Sequence, residues 1–279
     1  MPQIFDLHND CLTSTKGKLS YARYIKSLQQ QPVTQVVQAI FTTEYTEPLP
    51  HIQKLYQTFC QHANTQTKHI AIEDFWFATK RNVPTILQYN PLYIGLTWND
   101  TNRLAGGAFG QGGLTPWGEQ VVKQIEQTSL VDTAHLNEKS FYAFANITQK
   151  PILCSHTALA SFYKHPRNLT NAQIQTIVQS HGLVGLCFVS EFINGKQHCT
   201  VQDIAQEIDY FVEHFGINHI ALGTDFYGTK KLPVGIKTYE DISLLYTKLQ
   251  NRGYTEKQIE QLFFQNAQTF FANVYKSYK

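Results

Sequence analysis

Short apolar runs alternate with longer amphipathic stretches along most of this 279-residue chain. Eight runs read as strands: residues 3–8, 33–42, 68–73, 92–97, 129–135, 151–156, 183–188 and 219–225. Between them, residues 51–63, 117–127, 171–182 and 201–216 carry apolar side chains at helical spacing, as do residues 255–275 behind Thr255 as N-cap. Gly182 and Gly216 stand where two of these helices would need a left-handed residue just past their ends. Strand-then-helix repetition predicts the α/β class and a single (β/α)8 TIM barrel over residues 1–279, with eight parallel strands. The C-terminal helix is expected to close the barrel against the first strand. One stretch breaks the rhythm: residues 99–116 form a long, glycine-rich loop after the fourth strand, of the kind that borders a site.

Composition narrows the picture. A chain 42% hydrophobic and 16% charged buries a core, which excludes a disordered protein. The net charge of +2 and the lack of a basic stripe interleaved with aromatics exclude nucleic acid as a partner. No apolar run is long enough to span a bilayer, and the N-terminus lacks a basic-then-apolar leader, so a cytoplasmic protein without a membrane partner is expected. The five cysteines, Cys11, Cys60, Cys154, Cys187 and Cys199, are scattered and form no C-x-x-C pair, so they read as reduced thiols.

A barrel of this class gathers its chemistry at the C-terminal ends of its strands. Those ends carry His8 and Asp10, then Glu73, His135, His156 and Asp225. Neutral imidazoles and carboxylates suit borderline divalent metals, and one carboxylate can bridge two ions. Such a pair would acidify water and polarise a carbonyl. His8 and Asp10, one residue apart, leave the strand on the same side. Taken singly, Asp6 reads as a cap or ion-pairing group, Glu73 as the start of a helix cap, and His135 and His156 as hydrogen-bonded barrel histidines. Six metal-competent side chains on five strand ends favour the metal. His51, His62, His69, His181, His198, His214 and His219 lie in helix or strand-entry contexts and read as structural. There is no nucleophile elbow and no phosphate-binding fingerprint, so Gly106, Gly107, Gly110, Gly112 and Gly113 read as loop flexibility.

The segments DLHND, AIED, GLTPWGEQVV, LVDTAH, PILCSHTALASFYKHPRNLT and ALGTDFYG resemble, in that order, those of the membrane dipeptidase (renal dipeptidase) family. These are zinc metallopeptidases with an amidohydrolase-like barrel, and the resemblance covers nearly the whole chain. It implies two zinc ions, one on His8, Asp10 and Glu73, the other on Glu73, His135 and His156. Asp225 would hold the bridging water and shuttle its proton, making Asp225 and Glu73 the catalytic carboxylates. Arg167 would pair with the C-terminal carboxylate of a dipeptide substrate, often one tolerated with a D-residue there; a surface ion pair is the rival reading of this arginine. Two departures stand out. Trp98, in LTWN, replaces the family's substrate-facing histidine, so either Trp98 or Asn99 polarises the carbonyl or the substrate class differs; Tyr227 replaces an acidic residue. A metal-dependent amidohydrolase acting on an N-acyl amino acid or lactam therefore stays open, as does a catalytically silent peptide-binding barrel. Homodimers are common in the family, but no stripe in the sequence marks an interface.

Overall fold

The computed structural model describes residues 3–14, 18–43, 45–196 and 198–276. Eight strands form a closed parallel barrel in sequence order: β1 Ile4–Asn9, β2 Val33–Phe41, β3 His69–Glu73, β4 Tyr93–Gly95, β5 Leu130–Asp132, β6 Leu153–Thr157, β7 Leu183–Leu186 and β8 Ile220–Leu222. This is the (β/α)8 barrel the periodicity implies. Helices α1 Cys11–Ser14, α2 Lys18–Leu28, α3 Pro48–His62, α4 Asn82–Leu87, α5 Pro116–Ile125, α6 Glu138–Ala145, α7 Asn171–Gln179, α8 Ser190–Asn194, α9 Val201–Phe215 and α10 Ile242–Asn251 lie between or after them. The chain ends in α11 Glu256–Glu260, a π-helical turn Gln261–Gln265 and α12 Asn266–Lys276.

Two cores divide the apolar side chains. The outward strand residues, such as Val36, Ile40, Ile72, Val184 and Leu222, pack under the helices. Phe5, Leu7, Val37, Ala71, Tyr93, Leu153 and Ala221 fill the barrel, and Phe264, Ala267, Phe270, Phe271 and Val274 join them. The C-terminal helix thus packs against the barrel's filling. It does not close the sheet: β1 pairs with β8 directly, Asp6 opposite Leu222. Asp6 fastens that seam, for its carboxylate accepts from the Thr224 N–H (2.8 Å), the Thr224 hydroxyl (2.6 Å) and the Tyr239 hydroxyl (2.5 Å). It is neither a helix cap nor half of an ion pair among the described residues.

Helix starts follow local chemistry. Thr170, Thr200 and Thr255 close capping boxes with Gln173, Asp203 and Gln258, and Thr115 caps α5 ahead of Pro116. Gly216 ends α9 at φ +83° as expected, but at the end of α7 the left-handed residue is His181, at φ +57°. Gly182 serves another purpose, since a Cβ there would lie 2.1 Å from the Ile152 carbonyl oxygen. Helices α1, α2, α4, α6, α8 and α10 lie outside the stretches expected from the sequence to be helical.

Four expected strands were drawn too long at their C-terminal ends, β4 and β7 by two residues and β5 and β8 by three. Strand β5 stops at Asp132 and β8 at Leu222; three residues later His135 and Asp225 turn into left-handed backbone, φ +69° and +59°, which no strand accommodates. A register shift between Asp6 and Asn9 sets three residue steps of β1 against two of β2, Val36 to Gln38, and His8 lies within that bulge.

Candidate metal centre

The closed barrel brings His8, Asp10, Glu73, His135, His156 and Asp225 together at one rim. Glu73 lies at its middle. Its Oε1 is 2.9 Å from His135 Nε2 and 3.9 Å from His156 Nε2, while Oε2 is 3.5 Å from His8 Nε2. Asp10 Oδ2 approaches His8 Nε2 at 3.3 Å. Two groups have ligand atoms mutually within 4.8 Å: His8 with Glu73 and His156, and His8 with Asp10 and Asp225. The first five residues are buried, and Asp225 is half-buried.

Each imidazole is fixed by what its other nitrogen touches. The Tyr93 hydroxyl donates to the Leu7 carbonyl (2.7 Å), so it accepts from His8 Nδ1 at 2.9 Å. The Ser155 hydroxyl donates to Asp132 Oδ2 (2.5 Å), so it accepts from His156 Nδ1 at 2.8 Å. Asn99 Oδ1 accepts from His135 Nδ1 at 3.0 Å. With three Nδ1 protons committed outward, three Nε2 lone pairs face inward. His135 and His156 Nε2 sit 2.9 Å apart, and His8 Nε2 is buried without a hydrogen-bond partner. Facing lone pairs and carboxylates repel one another unless a cation lies among them, and among the described residues no lysine or arginine pairs with Asp10, Glu73 or Asp225. The donor set therefore fits divalent metal.

The titration behaviour agrees. Burial pushes Asp225 well above the usual carboxylate range, with Asp10 adding to it, and burial likewise raises Asp10. Burial lowers His135 to about 4 and His156 well below the ordinary imidazole value, which keeps both neutral, the ligating form. For His8 burial would lower the pKa, but Tyr93, Asp10 and Glu73 together raise it, so this nitrogen calls for a positive charge. Glu73, which burial would raise, is held low by His135 and His8.

Arg167 follows β6 and is 4% exposed, which overturns the surface ion-pair reading. Its Nη2 donates to the His156 carbonyl at 3.3 Å, its plane lies 5.5 Å over Phe192, and its Nε has no partner. A cavity of about 620 Å³ opens beside it, lined also by Leu136, Asn137, Lys164 and His165. Trp98 is half-buried, its ring 6.2 Å from His135 and 5.3 Å from Phe41. Asn99 Oδ1 accepts from His135 Nδ1, so any polarising of a carbonyl by Asn99 falls to its amide N–H. Tyr227 is exposed, its ring edge-on to that of Tyr24 at 5.2 Å.

Four contributors were missed. Tyr93, Ser155 and Asp132 orient ligands, and Gly228 is small because a Cβ there would lie 2.0 Å from Asp225 Oδ1 and 2.4 Å from Asp10 Oδ2. The signal for Ser155 and Asp132 was their place within the ligand segments themselves, CSH and VDTAH.

A family model described as membrane dipeptidase (peptidase family M19) matches residues 84–277. That span holds His135, His156, Arg167 and Asp225; barrel closure adds His8, Asp10 and Glu73. An uncharacterized protein of the Klebsiella pneumoniae pqqA 5′ region is 30% identical over 196 residues, 66% of this chain and 72% of that one. The fold is shared with a metallopeptidase from Rhodobacter sphaeroides solved with a phosphinate mimic of L-Ala-D-Ala, at TM-score 0.84 and 17% identity over 98% and 99% of the two chains. A probable dipeptidase from Pseudomonas aeruginosa shares it at TM-score 0.81 and 15% identity over 99% and 96%. With half of the candidate ligands inside the matched segment and the rest brought beside them by the barrel, the chain belongs to the membrane dipeptidase family of metallopeptidases, enzymes that hydrolyse peptide bonds.

Proposed function

We propose that this enzyme cleaves dipeptides with two zinc ions, one held by His8, Asp10 and Glu73 and the other by Glu73, His135 and His156. The observation that carries the reading is Glu73, whose two oxygens face different imidazoles across a cluster of inward lone pairs. When bound, the ions would supply Lewis acidity, making water more acidic and polarising the scissile carbonyl. Asp225 would take the proton of the attacking water and deliver it to the leaving amine; its burial beside Asp10 raises its pKa, which strengthens the carboxylate as the acceptor of that proton. Arg167, with an unpaired Nε, has the donors to receive the C-terminal carboxylate, and a D-residue there is the expected tolerance. Five free thiols support a cytoplasmic enzyme, and among the described residues no helix is long and apolar enough to cross a membrane.

The half-buried Trp98 beside His135 favours one second reading, hydrolysis of an N-acyl amino acid or lactam by the same centre. Metal content per chain, measured with L-Ala-D-Ala hydrolysis before and after chelation, separates the two. About two zinc equivalents with chelator-sensitive cleavage are expected. Metal without dipeptide cleavage would select the other amide, and failure to take up metal after incubation with zinc would sink both. Asp225→Asn should retain metal and lose turnover.

A further inference from the structure

On the opposite side of His135 from Arg167, a cavity of about 330 Å³ lies over the C-terminal ends of β2, β3 and β4. Its walls include Thr43, Asp74, Trp76, Trp98, Asp100 and Asn102. It adjoins the metal centre, because Asp74 follows Glu73 in the chain and the Trp98 ring lies 6.2 Å from that of His135. Around the rim the order is fixed: this cavity belongs to β2–β4, His135 to β5, His156 and Arg167 to β6 and the loop after it. A dipeptide with its carboxylate on Arg167 and its peptide bond at Glu73 and His135 extends its N-terminal residue toward this cavity.

The lining chemistry has one sign. It contains two carboxylates, two indoles, and no lysine, arginine or histidine. Asp74 is 5% exposed and held in place, Oδ2 accepting from the Thr43 hydroxyl at 2.6 Å and Oδ1 from Asn102 Nδ2 at 3.0 Å. Asp100 is exposed at the mouth and has no ion pair among the described residues. The Trp98 ring is steadied edge-on by Phe41 at 5.3 Å and the Trp76 ring by Phe77 at 6.0 Å. Indole faces attract cations through their quadrupole, and walls bearing one sign of charge focus the field on the opposite one. An apolar guest would strip water from the Asp100 carboxylate and return nothing.

We propose that this cavity is a specificity subsite for a positively charged side chain, lysine or arginine, on the N-terminal residue of the substrate; the assignment rests on the dipeptidase reading above. Trp98, standing where the resembled family carries a histidine, then has a reason: an imidazolium would repel this guest, and an indole attracts it.

The test compares kcat/KM for Arg-D-Ala, citrulline-D-Ala and Ala-D-Ala on the zinc-loaded wild type and on Asp100→Asn and Trp98→Leu. Citrulline keeps the shape of arginine and removes its charge. Wild type should prefer arginine over citrulline by about tenfold, the scale of a partly desolvated cation–π contact assisted by a facing carboxylate. The ratio should fall toward unity in Asp100→Asn and shrink in Trp98→Leu; being taken within each variant, it is insensitive to a general loss of activity. Equal rates on arginine and citrulline in wild type, or a preference that both variants leave intact, would overturn the subsite while Ala-D-Ala cleavage keeps the dipeptidase reading standing. No cleavage of any of the three, with turnover of N-acyl amino acids, would remove the dipeptidase reading and the subsite with it.

Discussion

Gly228→Ala perturbs the centre without replacing a proposed ligand. The backbone of Gly228 is not among the positive-φ positions, so alanine meets no conformational penalty there. The obstacle is space: the new Cβ would lie 2.0 Å from Asp225 Oδ1, 2.4 Å from Asp10 Oδ2 and 3.1 Å from Asp225 Cγ. Carbon and oxygen do not approach within about 3 Å, so one or both carboxylates must retreat by about 1 Å, a displacement that can cost about 10²-fold in rate. Overpacking of this kind adds about 1–3 kcal/mol of destabilisation. The assay is kcat/KM on a dipeptide together with zinc bound per chain and the thermal midpoint, with Gly113→Ala as control, where the added Cβ meets Lys139 at an ordinary 3.6 Å. Gly113→Ala should match wild type, and Gly228→Ala should lose activity, metal affinity or both. Wild-type kcat/KM and full metal content in Gly228→Ala would refute the placement of Asp10 and Asp225 at the reacting centre.

Three further outcomes follow from the same geometry. Ser155→Ala removes the acceptor that orients His156 and should weaken metal binding or activity about 10–100-fold, with Ser155→Thr retaining more of it; metal titration reads this directly. Arg167→Met should raise KM on dipeptides far more than it lowers kcat, while an equal fall in kcat and kcat/KM would place the guanidinium at the transition state instead. Glu207, 1% exposed, accepts a bond from the Leu159 N–H at 3.1 Å, and burial pushes its carboxyl up to about 8. The folded state therefore keeps a proton that the unfolded chain has released, so the stability this group contributes is full below its unfolded value of 4.5 and is lost as pH rises through about 8. Glu207→Gln should match wild type in thermal midpoint at low pH and exceed it at pH above about 8; identical midpoints across that range would show that Glu207 ionises freely in the folded protein.

The three imidazoles and three carboxylates of the centre were legible because barrels put chemistry at strand ends and these residues stand at or just past such ends. What orients them was not. Tyr93 reaches His8 across 85 positions and Ser155 reaches Asp132 across 23, and periodicity carries no information about pairs so far apart. Asn99 reaches His135 across 36 positions, a contact that depends on how two loops pack. The extents of β5 and β8 were misjudged for a related reason: strand-like sequence was read on to His135 and Asp225, where the backbone is left-handed.

By itself, the sequence determined the alternation of strand and helix, the eight-strand count, the Thr255 cap and the candidate ligand types, all of which depend on neighbours within a few residues. Only the tertiary structure decided which end of the barrel the C-terminal helix covers, that Glu73 faces two sets of imidazoles, that Arg167 is buried beside them, and that Trp76, Trp98, Asp74 and Asp100 wall one cavity. Those facts depend on the closure of β8 onto β1, which brings residues more than 200 positions apart into contact, and a side chain's charge and reach do not encode where that closure will place it.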